Sequence, residues 1–373
     1  MIIGIPKEIK LDEKRVALTP VGVKTFIDSG HDVLVQRGAG EDSSFTDLEY
    51  INSGAKIIGS AEELYKNAEM IVKVKEPVIE EYKYIKTGQI IFTFFHFASN
   101  KELTQIMLDK KIIGIAYETV QDSSGNLPIL APMSEIAGKI AGQVAAHYLS
   151  AINGGSGKLI GGIPGVGPAK ILIIGGGNAG TCAAKVCAGM GGFVEIFDTS
   201  LKRLQYLDDV LPKNVKLSYF SNYELVEAMK NVDVIIGTVY NPGAKTPKII
   251  TKDMIKLLKP KTIMIDVSID QGGCFETSRV TTLSNPTYIE NDIIHYCVAN
   301  MPSAFPKTST IALTNAILKY GLDIASKGYI KAILDDQTLA KGLNMIKGKI
   351  TCKAVAEAHN MNYFPLTEVL NKS

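Results

Sequence analysis

Three side chains in the first part of the chain could together hold and transform a small carboxylic acid. Arg15 lies in EIKLDEKRVALTP, just after the first apolar run. Lys75 closes MIVKVK, and His96 closes IIFTFFH. A guanidinium forks onto a carboxylate, an ammonium polarises a carbonyl oxygen, and an imidazole moves a proton near neutral pH. A 2-amino or 2-oxo acid needs that set. Phe92, Phe94 and Phe95 beside His96 suggest an apolar, water-poor setting. Residue type alone leaves plainer readings open. Arg15 could be a solvated loop arginine, Lys75 half of a surface ion pair with Glu76, and His96 a satisfied core histidine. His31, His147, His295 and His359 read as structural.

A second constellation lies in KILIIGGGNAGTCAAKVCAGMGGFVEIFD, residues 170–198. Gly175, Gly177 and Gly180 form G-x-G-x-x-G. The pattern is weak alone, but here it follows an apolar run and opens a helix-like stretch rich in Ala. Gly175 permits the tight turn, Gly177 lets a pyrophosphate approach the backbone, and Gly180 lets helix and strand pack closely. Free N–H groups at the helix start, around Asn178 and Ala179, suit the pyrophosphate. Asp198 ends the next run, where a carboxylate accepts ribose hydroxyls and repels a 2′-phosphate, which favours NAD over NADP. Lys202 and Arg203 are nearby bases that could instead accommodate a phosphate. Further along, Val239 follows one strand end. Asp266–Asp270, with Val267, Ser268 and Ile269 between, ends a second strand, and the Val298–Met301 stretch, with Asn300, ends a third. Ligands of open α/β sheets collect at such carboxyl ends. Asp270, followed by Gln271-Gly272-Gly273, could also simply begin a turn.

Two sets of elements must position these residues. Apolar runs at 2–5, 32–36, 70–75, 89–96 and 112–118 alternate with helix-like stretches at 21–28, 61–66 and 101–109. That alternation predicts a mostly parallel, doubly wound sheet. Residues 133–152 then predict a long helix, with Ile136, Ile140, Val144 and Tyr148 on one face. After the loop GGSGKLIGGIPGVGP, strands are expected at 170–174, 193–197, 216–219, 232–238, 262–267 and 294–298, and a second long helix at 308–327. The last forty or so residues read as helical with short loops. The expected fold is α/β, two doubly wound Rossmann-like domains joined by long helices. Residues 1–130 form the substrate domain, 131–306 the NAD-binding domain, and 307–373 a linking helix returning to the first domain.

Composition excludes other classes. With 373 residues and a net charge of +2, there is no electrostatic footprint for nucleic acid or an anionic membrane surface. No apolar run is long enough to cross a bilayer, and MIIGIPKEIK reads as a first strand and not as a signal peptide. Cys182, Cys187, Cys274, Cys297 and Cys352 form no C-x-x-C pair, so neither a metal site nor a disulfide framework is expected. Buried small hydrophobes in a reducing compartment, most simply the cytosol, are the simplest reading.

Along nearly its whole length the chain resembles the alanine dehydrogenases and the NAD-binding part of proton-translocating transhydrogenases. The markers are GIPKEIKLDEKRVALTP, VKVKEP, FTFFHFA, AYETVQ, LAPMSEIAG, GGIPGVGPAKILIIGGGNAG, VIIGTVYNPGAKTPK, DVSIDQGGCFE and HYCVANMPSAFPKTST. The resemblance implies that Arg15 and Lys75 hold the carboxylate and carbonyl of pyruvate or the matching groups of alanine. It implies that His96 is the acid/base and that Asp270 acts with it. Ser134, Gly175–Gly180, Asp198, Arg203, Val239 and the Val298–Met301 segment match cofactor contacts, with Ser221 near a serine that touches adenine. Asp12 stands where the family often has Asn, and Phe220 precedes Ser221. The implied reaction is reversible oxidation of L-alanine by NAD and water to pyruvate, ammonia and NADH, through an iminium and a carbinolamine, in a homo-oligomer that is commonly a hexamer. The neighbouring possibilities are a transhydrogenase subunit, an amino-acid dehydrogenase of the saccharopine type, and a nucleotide-binding protein without catalysis.

Overall fold

The computed structural model describes residues 1–240 and 246–370. Residues 241–245, within the VIIGTVYNPGAKTPK marker, and 371–373 lie outside the described residues. The chain divides into two compact units. One comprises residues 1–133 together with the segment from 303 onward. The other comprises the described residues between 134 and 302.

In chain order the strands of the first unit are β1 (Ile2–Ile5), β2 (Asp32–Gln36), β3 (Lys56–Ile58), β4 (Met70–Lys75), β5 (Ile90–Phe94) and β6 (Ile113–Ala116). The second unit holds β7 (Lys170–Ile174), β8 (Phe193–Asp198), β9 (Val215–Tyr219), β10 (Val234–Gly237), β11 (Ile263–Asp266), β12 (Thr287–Glu290) and β13 (Ile293–Tyr296). The chain then adds β14 (Leu343–Ile346) and β15 (Lys349–Ile350) to the first.

The first sheet has the order β15-β14-β6-β5-β4-β1-β2-β3 and the second β12-β13-β11-β10-β7-β8-β9. Both are parallel except at one end, where β14 and β15, or β12, run antiparallel to their neighbours. Each parallel core has the 3-2-1-4-5 order of a doubly wound fold. Its topological switch points fall between β1 and β4 and between β7 and β10, at the carboxyl ends where ligands gather.

Apolar residues on both faces explain why these strands read as continuous apolar runs. Ile171 and Ile173 of β7 pack with Val234, Ile236, Ile263 and Ile265 on one face of the second sheet. Leu172 and Ile174 pack with Ile235, Met264 and Phe275 on the other. In the first unit, β4 is buried along its whole length even though it carries Lys73 and Lys75.

The structure corrects several sequence expectations. The fifth strand stops at Phe94, and His96 has left-handed backbone angles of φ 49° and ψ 39°. The sixth stops at Ala116 and gives way to a 3-10 turn at Tyr117–Thr119. The C-terminal region contains β14 and β15 among its helices. These strands were hidden because they are short and complete a sheet begun more than two hundred residues earlier. The first long helix spans Ala131–Leu149. Its most buried stripe is Ala137, Ala141, Ala145 and Leu149, while of the expected aliphatic stripe only Ile140 is fully buried. Close approach is the reason. A Cβ at Gly138 would meet the carbonyl oxygen of Ala179 at 2.0 Å, and one at Gly142 would meet Val186 Cγ1 at 2.6 Å. Two helices approach that closely only where side chains are absent. Gly138→Ala is therefore expected to lower the free energy of unfolding by about 1–3 kcal/mol, the usual cost of overpacking, as measured by urea denaturation. A wild-type midpoint would contradict the packing.

Candidate functional site

The loop after β1 and the ends of β4, β5 and β6 carry the ionisable groups of the first unit. Arg15 is only 2% exposed. Its Nε and Nη2 donate to Glu13 Oε1 and Oε2 at 2.8 and 2.6 Å, a two-pronged ion pair. Its Nη1 faces the Met133 sulfur at 3.2 Å. Burial works to raise the Glu13 carboxyl, but the Arg15 guanidinium outweighs it and holds the group down at about 2. Glu13 therefore commits one edge of the guanidinium and fixes its plane.

Lys75 is 7% exposed, which removes the surface-pair reading. Glu76 pairs instead with Lys10. Among the described residues the Lys75 ammonium has no ion-pair partner within 4 Å. Its backbone N–H donates to Glu8 Oε1 at 3.4 Å, and that of Val74 does so at 2.7 Å. Beneath, the wholly buried Lys73 pairs with Glu8 at 3.2 Å and with Glu81 at 2.7 Å. Glu81 also accepts from the Tyr65 hydroxyl at 2.8 Å. Burial pushes the Glu8 carboxyl up to about 7 against the pull of Lys73.

The His96 ring stacks on Phe94, with centroids 6.0 Å apart and planes 13° from parallel. Burial first, then the cations of Lys75, Lys10 and Arg15, lower its pKa well below the usual 6.5. The imidazole is thus neutral at physiological pH and free to accept a proton. Arg15, Lys75 and His96 come together at one end of one sheet, close enough to perturb one another.

The second unit holds the other sequence candidates. Gly175 has φ +99°, and a Cβ there would meet Thr238 at 3.1 Å. A Cβ at Gly180 would meet the Gly175 carbonyl oxygen at 1.9 Å, whereas one at Gly177 would meet nothing within 4 Å. Gly175 is thus required by its left-handed φ and Gly180 by packing, while Gly177 borders open space. Gly177 caps the helix Asn178–Gly189 without a side chain to take its first N–H groups, Ala179 and Gly180 lying in that first turn. This is the surface an anionic pyrophosphate needs.

Asp198 Oδ2 accepts the Gly176 N–H at 2.7 Å, and Oδ1 accepts that of Ser200 at 2.8 Å. Arg203 Nε donates to the Gly176 carbonyl at 2.6 Å and Nη2 to Thr181 Oγ1 at 2.9 Å, so the guanidinium braces the underside of the turn. Ser221 caps the helix Asn222–Met229 through the Glu224 N–H at 3.2 Å. Ser134 is half-buried near the start of the helix Ala131–Leu149.

The loop after β11 is tied to its neighbours. Val267 donates to the Gly237 carbonyl at 2.9 Å, and the Ser268 hydroxyl donates to the Val239 carbonyl at 2.6 Å. Ile269 is buried in the turn that carries the exposed Asp270. Asp270 accepts the backbone N–H of Asn300 at 3.1 Å, and Asn300 itself has φ 59°. Val298 and Met301, on either side of that residue, are buried.

Several residues that hold these groups escaped the sequence reading. Glu13 and Glu8 sat unnoticed in a charged stretch. Glu118 was visible only as a carboxylate at the end of an apolar run. Asp266 is fully buried and collects the N–H groups of Ser268, Cys274 and Phe275 at 3.0, 2.9 and 3.3 Å. Lys248 donates to the Gly273 and Phe275 carbonyls at 2.9 and 3.0 Å. These two opposite charges fix the loop that presents Asp270. Among the described residues no cluster of His, Cys, Asp and Glu could hold a metal, and no helix is long and apolar enough to cross a membrane.

The cations around His96 give a measurable expectation. Its imidazole, followed by NMR, should titrate below 6.5. Lys75→Met should move the midpoint upward, because a neighbouring positive charge disfavours the imidazolium. An unchanged midpoint would separate the two side chains.

Two family models match the chain. "Alanine dehydrogenase/PNT, N-terminal domain" covers residues 4–137, and "Alanine dehydrogenase/PNT, C-terminal domain" covers residues 141–353. The chain is 49% identical to an alanine dehydrogenase of Methanococcus maripaludis over 100% of both chains. It is 47% identical to one of Staphylococcus saprophyticus over 99% of this chain and 100% of that one. Among solved structures, an L-alanine dehydrogenase matches with a TM-score of 0.92 at 40% identity, covering 96% of this chain and 99% of that one. A transhydrogenase from Sinorhizobium meliloti shares the fold, with a TM-score of 0.79 at 21% identity over 95% of this chain and 100% of that one. With both halves matched and near-half identity from end to end, the chain belongs to the alanine dehydrogenase/PNT family.

Proposed function

We propose that this protein is an NAD-dependent L-alanine dehydrogenase, interconverting L-alanine, NAD and water with pyruvate, ammonia and NADH. What carries the reading is the convergence of a buried Arg15, a buried Lys75 and a neutral His96 at the switch point of the first sheet, in a chain 49% identical over its full length to an alanine dehydrogenase.

The residues divide the work as follows. The Arg15 guanidinium takes the substrate carboxylate. Lys75 takes the carbonyl oxygen of pyruvate, and its charge favours the polarised form. His96 accepts the proton of the water that adds to the oxidised α-carbon and returns it as ammonia leaves, with Asp270 as the second group managing protons. Such transfers contribute roughly 10²–10⁴-fold.

The glycine turn is suited to a nicotinamide dinucleotide, with Gly175, Gly177, Asn178, Ala179 and Gly180 at the pyrophosphate and Asp198 at the ribose. When bound, that cofactor supplies the acceptor for the hydride of the alanine α-carbon. Ser134, Ser221, Val239, Val267, Ser268, Ile269, Val298, Asn300 and Met301 are the further contacts. Arg203 supports NAD over NADP, because two of its donors are already committed to the turn. A cytosolic homo-oligomer, hexameric as the resemblance implies, completes the proposal.

Mixed with NAD and L-alanine, the pure protein should generate NADH, read by the absorbance that reduced nicotinamide has and the oxidised form lacks. Hydride exchange between two nucleotides without alanine turnover would favour a transhydrogenase instead. His96→Ala should lower kcat by at least about 10²-fold while nucleotide binding, read by calorimetry, persists. Normal turnover in that variant would remove His96 from the mechanism. Asp198→Ala should weaken NAD binding and narrow the preference over NADP. An unchanged ratio of the two affinities would contradict the ribose assignment.

A further inference from the structure

His96 does not sit on a strand. It follows β5 by two residues, in a left-handed conformation of φ 49° and ψ 39° that non-glycine residues seldom adopt. Something must hold it there. Glu118, in the turn after β6, accepts the His96 N–H with Oε1 at 2.7 Å and the Phe95 N–H with Oε2 at 3.2 Å. One buried carboxylate thus satisfies two successive N–H groups that the sheet has released. On the carbonyl side, Phe97 accepts from His359 Nε2 at 2.7 Å and from the Thr104 hydroxyl at 3.1 Å.

We propose that Glu118 is the positioning residue for His96, clamping the backbone of the turn so that the imidazole stays where a proton must be moved. The proposal rests on the reading of His96 as the acid/base. Glu118 makes no bond to the ring, so it sets where the base is and leaves its chemistry alone. Arg15 and Lys75 are held by other carboxylates, Glu13 and Glu8, and those supports stay in place when Glu118 is lost. Turnover should then suffer more than KM.

Burial pushes the Glu118 carboxyl up to about 7, against the N–H groups it accepts and the Lys75 charge. Among the described residues the Cys352 thiol also feels the Glu118 charge. A protonated carboxyl turns one acceptor into a donor facing an N–H group, so the clamp is complete only in the ionised form.

Three proteins test the proposal: wild type, Glu118→Gln and Glu118→Ala. Glutamine keeps the shape and one acceptor, while alanine keeps neither. With the cofactor saturating, kcat should fall by about 10-fold in the first and about 100-fold in the second, with KM for alanine within about 3-fold of wild type. Hydrogen-exchange mass spectrometry gives a readout independent of turnover. The 95–97 segment should exchange at least about 10-fold faster in the variants while the other strands of the first sheet keep their protection. If the alanine variant does not fold, the glutamine variant decides. Wild-type kcat and wild-type protection in Glu118→Gln would overturn the proposal. So would a loss of kcat that only parallels a loss of folded protein. Should the wild type fail to oxidise alanine, the functional reading falls, and the exchange result still judges the clamp.

Discussion

A guanidinium buried at the end of a sheet cannot stand alone, and the pairing of Arg15 with Glu13 is the interaction on which the first unit's site rests. Removing one partner of a buried pair costs about 3–5 kcal/mol, because the other charge is stranded. Glu13 therefore does more than neutralise. It takes two donors of a planar group and so fixes the plane of the guanidinium. The neighbouring groups follow from the same constraint. Glu8 accepts the backbone N–H of Lys75, Lys73 is shared between Glu8 and Glu81, and Glu118 holds the turn of His96. Arg15, Lys75 and His96 are each backed by a carboxylate: Glu13, Glu8 and Glu118.

The two sheets share a strand order but not a strategy. At its switch point the first places side-chain charges, while the second places backbone. Gly175 is needed for its left-handed backbone and Gly180 because neighbouring backbone comes too close for a Cβ, while Gly177 sits beside space that the protein leaves open. Asp198 and Arg203 are anchored to that turn from opposite sides, one to an N–H and the other to a carbonyl of the same residue, Gly176.

Much of this was legible in the sequence, because periodicity reports burial. Continuous apolar runs announced the parallel strands, and glycine spacing announced the turn after β7. The misreadings have physical causes. β14 and β15 are too short for a local signal and exist because β6 offers an open edge. The buried stripe of the helix Ala131–Leu149 follows its small residues, since close approach of a second helix outranks aliphatic bulk there. Arg15, Lys75 and His96 could be singled out by type, but their supporting carboxylates could not. In the chain, Glu13 and Glu8 look like ordinary loop charges until the fold buries them. His96 was read as the end of a strand, and only its backbone angles reveal that the strand has already ended.

The bracing of the glycine turn by Arg203 has an evolutionary corollary. A base next to the strand-end acid is a ready-made phosphate receptor, and exchange of the acid for a neutral residue would be the short route to a different nucleotide. Here that route is obstructed. The acid also tethers an amide of the turn, and the base is already spent on the matching carbonyl, so neither can change occupation without loosening the other. On the proposed ribose assignment, cofactor choice is coupled to loop integrity. A lineage that switched it would have to acquire a new cation elsewhere before it could release the old one.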